Sequence, residues 1–200
     1  PGVHLGRLRF DIKPEQMGLI NAVMILVMIP LFDRGVYPLL RWFGFRLRPL
    51  NRMMWGMGLA VASFLVAAAL EVAIVRRGTF APNPADPQSL MCVEGCVHVL
   101  AQIPQYLLIT AAEILFSITG LEFAYSQAPA SMKSVCQAGW LLTVAAGNLV
   151  VIFFNEVDPV KRIFGAGNRF AMAYNYVMWC GILGVGMVAF AWLAYRYKYV

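Results

Sequence analysis

The stretch AEILFSITGLEFAYSQAPASMKSV, Ala112 to Val135, reads as an apolar helix that carries two glutamates, Glu113 and Glu122, nine residues apart. A charged carboxylate in hydrocarbon costs at least about 2.5 kcal/mol. Each acid therefore has to meet water, a cation or another helix. At about 100° per residue, Glu113, Ser117 and Gly120 share one helix face, while Glu122 falls opposite Glu113 and about 13 Å further along the axis.

Composition places this stretch in a membrane. Of 200 residues, 60% are hydrophobic and only 13% charged, and the mean hydropathy is +0.68, outside the range of soluble domains. The apolar residues gather in five runs: Met17–Leu40, Met54–Val75, Val99–Phe123, Gln137–Phe154 and Ala171–Tyr195. Each is near the ~20 residues that cross a bilayer as a helix. Long unalternating runs satisfy their backbone groups in lipid only as helices. The predicted fold class is an all-α membrane protein with five transmembrane helices.

Several function classes fall away at this point. The net charge of +6 comes from basic residues scattered through short connections, with no continuous basic face for nucleic acid. Assigning the connections to alternate sides of the membrane divides the basic residues equally. The segment from Arg41 to Arg52 holds four arginines and no acid, which orients it to the cytoplasm. Neither His4 nor His98 sits in a span, and no nucleophile–base pair or metal-ligand spacing appears, so neither an enzyme nor a metal site is expected. Cys136 and Cys180 read as apolar filler. Cys92 and Cys96 lie in a polar connection where a local disulfide is permitted if that side is extracellular. The opening PGVHLGRLRFDIKPEQ lacks an initiating Met and a signal-peptide pattern. Five spans also fit poorly with transporters assembled from repeated halves, so further helices are expected before Pro1.

Within the spans, the polar residues carry two readings each. Glu113 is either a structural carboxyl bonded to a neighbouring helix or a group facing a cavity. Asn21, in the first run, is either interhelical glue or part of the same cavity. Trp140 is either an interfacial anchor or a pocket wall. Gly139, Thr143 and Gly147 form a stripe of small residues that predicts close approach of another helix. Glu122 and Lys133 sit near the ends of two successive runs and read as a gate or helix-end ion pair. Asp33 and Arg34 read as flanking charges, or, where LFDRGVYPLLRWFGFRLRPLNR resembles a cytoplasmic loop motif of the major facilitator superfamily, as residues available for gate ion pairs.

Taken together, IPQYLLITAAEILFSITGLEFAYSQAPASMKSVCQAGWLLTVAAGN, Ile103 to Asn148, and KPEQMGLINAVMILVMIPLFDRGVYPLL, Lys13 to Leu40, strongly resemble the proton-coupled oligopeptide transporters of the major facilitator superfamily, above all their animal members. The resemblance implies that the chain, 1–200, is a C-terminal transmembrane bundle similar to helices 8 to 12 of a twelve-helix symporter, with the N-terminal helices outside it. The implied function is proton-coupled uptake of di- and tripeptides across the plasma membrane, with protons as coupling ion and no cofactor. The competing class is a non-transporting membrane scaffold. By the same resemblance Glu113 receives the peptide's amino terminus, Asn21 bonds its backbone, and Trp140 and Ser117 line the pocket. The connection 76–98 departs from the animal pattern, because those members carry a large extracellular domain there.

Overall fold

The computed structural model describes residues 3–5, 8–10, 17–42, 48–83, 86–94, 99–129, 131–165 and 169–197. Among them, five helical stretches are long and apolar enough to cross a membrane: Asn21–Leu39, Pro49–Arg77, Ile103–Gln127, Lys133–Phe164 and Ala171–Arg196. We call these the first to fifth spans; each overlaps one of the five apolar runs of the sequence.

Two of the spans are not uniform. The first is built from α1 (Met17–Leu31), a π-helical turn (Phe32–Val36) and α2 (Tyr37–Trp42). The third joins α4 (Ile103–Glu113), a second π turn (Ile114–Ile118) and α5 (Thr119–Gln127). A π turn inserts one residue into the helical winding, so side chains on either side of it change their relative facing. Pro49 and Pro104 open their helices within the first two positions, where a missing N–H leaves nothing unpaired.

The second span is α3 (Pro49–Arg77), closed by Arg76 and Arg77, cations suited to the negative end of the helix dipole. The fourth comprises α6 (Lys133–Val157) and α7 (Pro159–Phe164). Between them Asp158 adopts the left-handed conformation at φ 40° and its N–H bonds the carbonyl of Phe154, a helix stop reinforced by Pro159. The fifth span is α8 (Ala171–Arg196).

Two short antiparallel hairpins accompany the helices. Strands β1 (Val3–Leu5) and β2 (Leu8–Phe10) pair ahead of the first span. Strands β3 (Thr79–Asn83) and β4 (Asp86–Glu94) pair within the connection between second and third spans. The all-helical expectation did not include them. Cys96 lies outside the described residues, and the possible Cys92–Cys96 bond with it.

The third span is the axis of the bundle: 39% of its apolar window is buried, against 17% for the second, 6% for the first and none for the fourth and fifth. Its π turn packs against that of the first span. Phe32 is buried together with Ala111, Ile114 and Leu115, and Met28, Ile29, Val36, Tyr37 and Leu59 surround them. The second span closes the other side. There Gly56 brings α3 onto the third span so tightly that a Cβ would lie 2.9 Å from the amide nitrogen of Phe116 and 3.0 Å from the carbonyl oxygen of Ala112. α3 also packs along α8, with Ser63 donating to the carbonyl of Gln105 at 3.1 Å on its α4 side.

The predicted close approach at Gly139, Thr143 and Gly147 is not made within this chain. No atom would come within 4 Å of a Cβ at either glycine, and the Thr143 hydroxyl donates back to the carbonyl of Trp140 at 2.7 Å. The physical reason is that α6 meets α5, where Trp140 lies on Gly120, and buries none of its own residues among the described ones.

Gly56 and Gly58 therefore make a matched test on one helix, since a Cβ at Gly58 would meet nothing within 4 Å. Gly56→Ala presses on backbone atoms that cannot rotate away and is expected to cost about 1–3 kcal/mol. Gly58→Ala is expected to be neutral or mildly stabilising. Thermal unfolding in detergent compares the two. Equal melting temperatures would reject the close approach at Gly56.

Candidate functional site

The polar residues of the first and third spans meet just before the π turn. Thr110 on α4 is fully buried, and its Oγ1 donates to Oδ1 of Asn21 on α1 at 2.7 Å. In a membrane interior neither group has water as an alternative partner. Asn21 thus couples the first span to the third.

Glu113 lies one turn beyond Thr110 and closes α4. Its neighbours Ala111, Ala112, Ile114 and Leu115 are all buried, while Glu113 itself is exposed. Among the described residues no hydrogen-bond or ion-pair partner reaches it. Ser117, inside the π turn, is half-buried.

Beyond the turn, Gly120 makes room for Trp140 from α6. A Cβ at Gly120 would collide with Cη2 of the Trp140 ring, and would stand 2.8 Å from its Cζ3 and 3.1 Å from Cε of Met53. The half-buried Trp140 ring also lies 6.1 Å from that of Phe116, which in turn meets Phe190 of the fifth span at 6.4 Å. Phe116 follows Glu113 by three residues, a rise of about 4.5 Å. Asn21 therefore meets the third span at Thr110 and Trp140 meets it at Phe116 and Gly120, while Glu113 and Ser117 lie between these points in the sequence.

The inserted residue of the π turn changes one geometric expectation. On a regular helix Glu122 would face away from Glu113. One extra residue retards the winding by about 100°, which leaves the two carboxylates about 80° apart around the axis. Burial agrees with this phase. Thr119 and Gly120 after the turn are buried, and the retarded winding aligns them with Ala111, Ala112 and Leu115 before it.

Between the third span's lower half and α6 lies an open groove of about 400 Å³ lined by Ile118, Leu121, Glu122, Tyr125 and Gln137. The Lys133 ammonium stands 4.5 Å from the centre of the Tyr125 ring, a cation–π placement. Asp33 and Arg34 are exposed within the π turn of the first span. Sequence reasoning missed a further pairing nearby: the Arg52 guanidinium lies 4.5 Å over the Tyr37 ring, and its Nε is buried without a hydrogen-bond acceptor. It also passed over Glu71, a half-buried carboxyl inside the second span, although the cost argument that singled out Glu113 applies there equally.

These features define a multi-pass α-helical membrane protein whose polar groups gather on its central span. The chain belongs to the POT family, whose sequence model matches residues 4–157. It is similar to solute carrier family 15 member 1 of Canis lupus familiaris, 49% identical over 104 residues, which cover 52% of this chain and 13% of that protein. It is also similar to the probable peptide transporter ptr2 of Schizosaccharomyces pombe, 40% identical over 141 residues, 70% of this chain and 22% of that one. The fold matches the crystal structure of an auto-inhibited POT family peptide transporter with a TM-score of 0.74 and 30% identity, covering 94% of this chain and 34% of the other. The POT family transporter PepTSo matches with a TM-score of 0.70 at 25% identity, covering 94% and 35%. The chain thus spans about a third of the solved transporters and a smaller share of these curated relatives.

The Asn21–Thr110 bond yields a measurable coupling. Thr110→Val removes the donor and leaves the asparagine oxygen unpaired, at an expected cost of about 0.6–1.7 kcal/mol for a bond in a membrane interior. Asn21→Leu carries a similar cost, and the double variant is expected to cost less than the two together. Additive losses in a detergent unfolding cycle would show that the bond contributes nothing.

Proposed function

We propose that this chain forms the substrate-binding part of a proton-coupled importer of di- and tripeptides in the plasma membrane, equivalent to helices 8 to 12 of a twelve-helix transporter. The observation that carries the reading is Glu113, an exposed mid-span carboxylate with no described partner. Along the third span it follows Thr110, which bonds Asn21, and precedes Phe116, which meets the Trp140 ring. An unpaired carboxylate in a low-dielectric site binds an ammonium strongly. The amino terminus of a short peptide is such a group, and the likeness to proteins described as peptide transporters supports it as the substrate.

In this reading Asn21 and Ser117 offer hydrogen-bonding groups to the peptide backbone, and Trp140 forms an apolar wall. Holding termini and backbone leaves the side chains unconstrained, so one site accepts many sequences. Downhill proton movement supplies the energy, and no cofactor takes part. Asp33 and Arg34, exposed in the first span's π turn, are placed to form gate ion pairs as helix bundles rock around the site. Glu122 and Lys133 occupy the corresponding ends of α5 and α6.

Glu113→Gln in the full-length protein isolates the charge, since the amide keeps shape and hydrogen-bonding capacity. Loss of a charge-assisted bond of about 1.5–3 kcal/mol weakens dipeptide binding by about ten- to a hundredfold. Binding and uptake of labelled dialanine are measured at matched surface abundance, with N-acetylated dialanine as the control lacking an ammonium. Dialanine binding as tight as in the parent would make Glu113 a structural carboxyl and sink the proposal.

A further inference from the structure

We propose that the groove lined by Ile118, Leu121, Glu122, Tyr125 and Gln137 is a subsite for the cationic side chain of a lysine- or arginine-containing peptide; this rests on the peptide-binding reading of Glu113.

The depression measures about 400 Å³ and is an open groove, with Ile118, Glu122, Tyr125 and Gln137 all exposed. Its chemistry is divided in the way such a side chain requires. Ile118 and Leu121 form an apolar wall for a methylene stem, which lysine and arginine bury readily along apolar surface. Glu122 and Gln137 line the same groove, together with Tyr125, whose ring carries Lys133. A ring and a carboxylate together suit an ammonium or a guanidinium.

The position relative to Glu113 also fits. Counting the residue inserted by the π turn, Ile118, Leu121, Glu122 and Tyr125 all lie within about 80° of Glu113 around the helix axis. The groove therefore continues the open face that carries Glu113 instead of lying behind it. Along the axis the two carboxylates are about 13 Å apart. The second Cα of a dipeptide lies about 5 Å from its amino nitrogen, the four-carbon stem of lysine adds about 6 Å, and a hydrogen bond of about 2.8 Å at each end covers the rest. A dipeptide with lysine second can thus set its amino terminus at Glu113 and its side-chain ammonium at Glu122.

Lys133 is held over the Tyr125 ring at 4.5 Å, and among the described residues Glu122 takes part in no ion pair. Within the described residues the Glu122 carboxylate is therefore left to a ligand, with the Lys133 ammonium flanking it on the Tyr125 ring.

Competition assays in the full-length protein test the assignment. Inhibition of labelled dialanine uptake is measured for alanyl-lysine and for alanyl-norleucine, which has the same stem without the charge. In the parent, alanyl-lysine is the stronger inhibitor. Glu122→Gln is expected to raise its half-inhibiting concentration about five- to tenfold relative to alanyl-norleucine. Glu122→Lys is expected to reverse the preference toward alanyl-glutamate. Lower abundance of either variant scales uptake with every peptide and leaves these ratios readable. An unchanged ratio, or equal weakening for both peptides, would overturn the subsite and leave Glu122 a structural or gating group. If the parent takes up no dialanine at all, the peptide-binding reading itself fails, and the subsite falls with it.

Discussion

The winding of the third span is the constraint on which the other parts of the site depend. A regular helix can keep one face buried only if buried positions recur with its own period. Here Thr119 falls on the buried face of Ala111, Ala112 and Leu115 with or without an extra residue, whereas the buried Gly120 falls there only when one extra residue is counted. That residue lets the lower half of the span keep its contact with α3 while its exposed face stays continuous from Glu113 to Tyr125. The facing π turn in the first span meets it through Phe32. Two interrupted helices thus pack at their interruptions, where irregular backbone is shielded by protein instead of exposed to lipid.

Around that joint, buried polar groups are tied in a consistent way. Thr110 reaches Asn21, Ser63 reaches a backbone carbonyl on the neighbouring span, and Thr143 returns to its own helix. Each bond removes a cost that hydrocarbon would otherwise impose. Glu113 is different in kind, because it is charged and has no described partner to share the load. The same helix turn that supplies a bonded threonine therefore supplies, three residues later, a carboxylate left open.

The large features were legible in the sequence because they depend on single-helix physics. Five apolar runs predict five spans, and a carboxyl in the middle of one predicts a site. Features that depend on two helices at once were not legible. The π turn follows from how Ile114, Leu115, Thr119 and Gly120 share their neighbours, which no period of one helix reveals. Asn21 was visible as a costly group, but its partner Thr110, 89 residues away, is a residue type too common in spans to single out. Small residues were misleading in both directions. The regular stripe at Gly139, Thr143 and Gly147 predicted a contact that this chain does not make, while the solitary Gly56 makes a closer one. A glycine permits close approach without saying which helix will use it. Glu71 is a different kind of omission, since its signal was present in the sequence and equal to that of Glu113.

The exposed surface of the bundle is of two sorts, and the difference explains why the open face cannot be ordinary lipid-facing surface. Along the fourth and fifth spans, Leu141, Leu142, Leu149, Ile152, Val185 and Val188 are exposed, side chains that hydrocarbon accommodates at no cost. On the third span the exposed face carries Glu113 and Glu122 instead, and turning it toward lipid would cost at least about 2.5 kcal/mol for a mid-span carboxylate. Water or an opposing protein surface removes that cost, and a bound ammonium converts it into affinity. The face that would weaken this bundle in a membrane is therefore the face best suited to hold a charged substrate, and the π turn keeps its carboxylates on the same side of the helix.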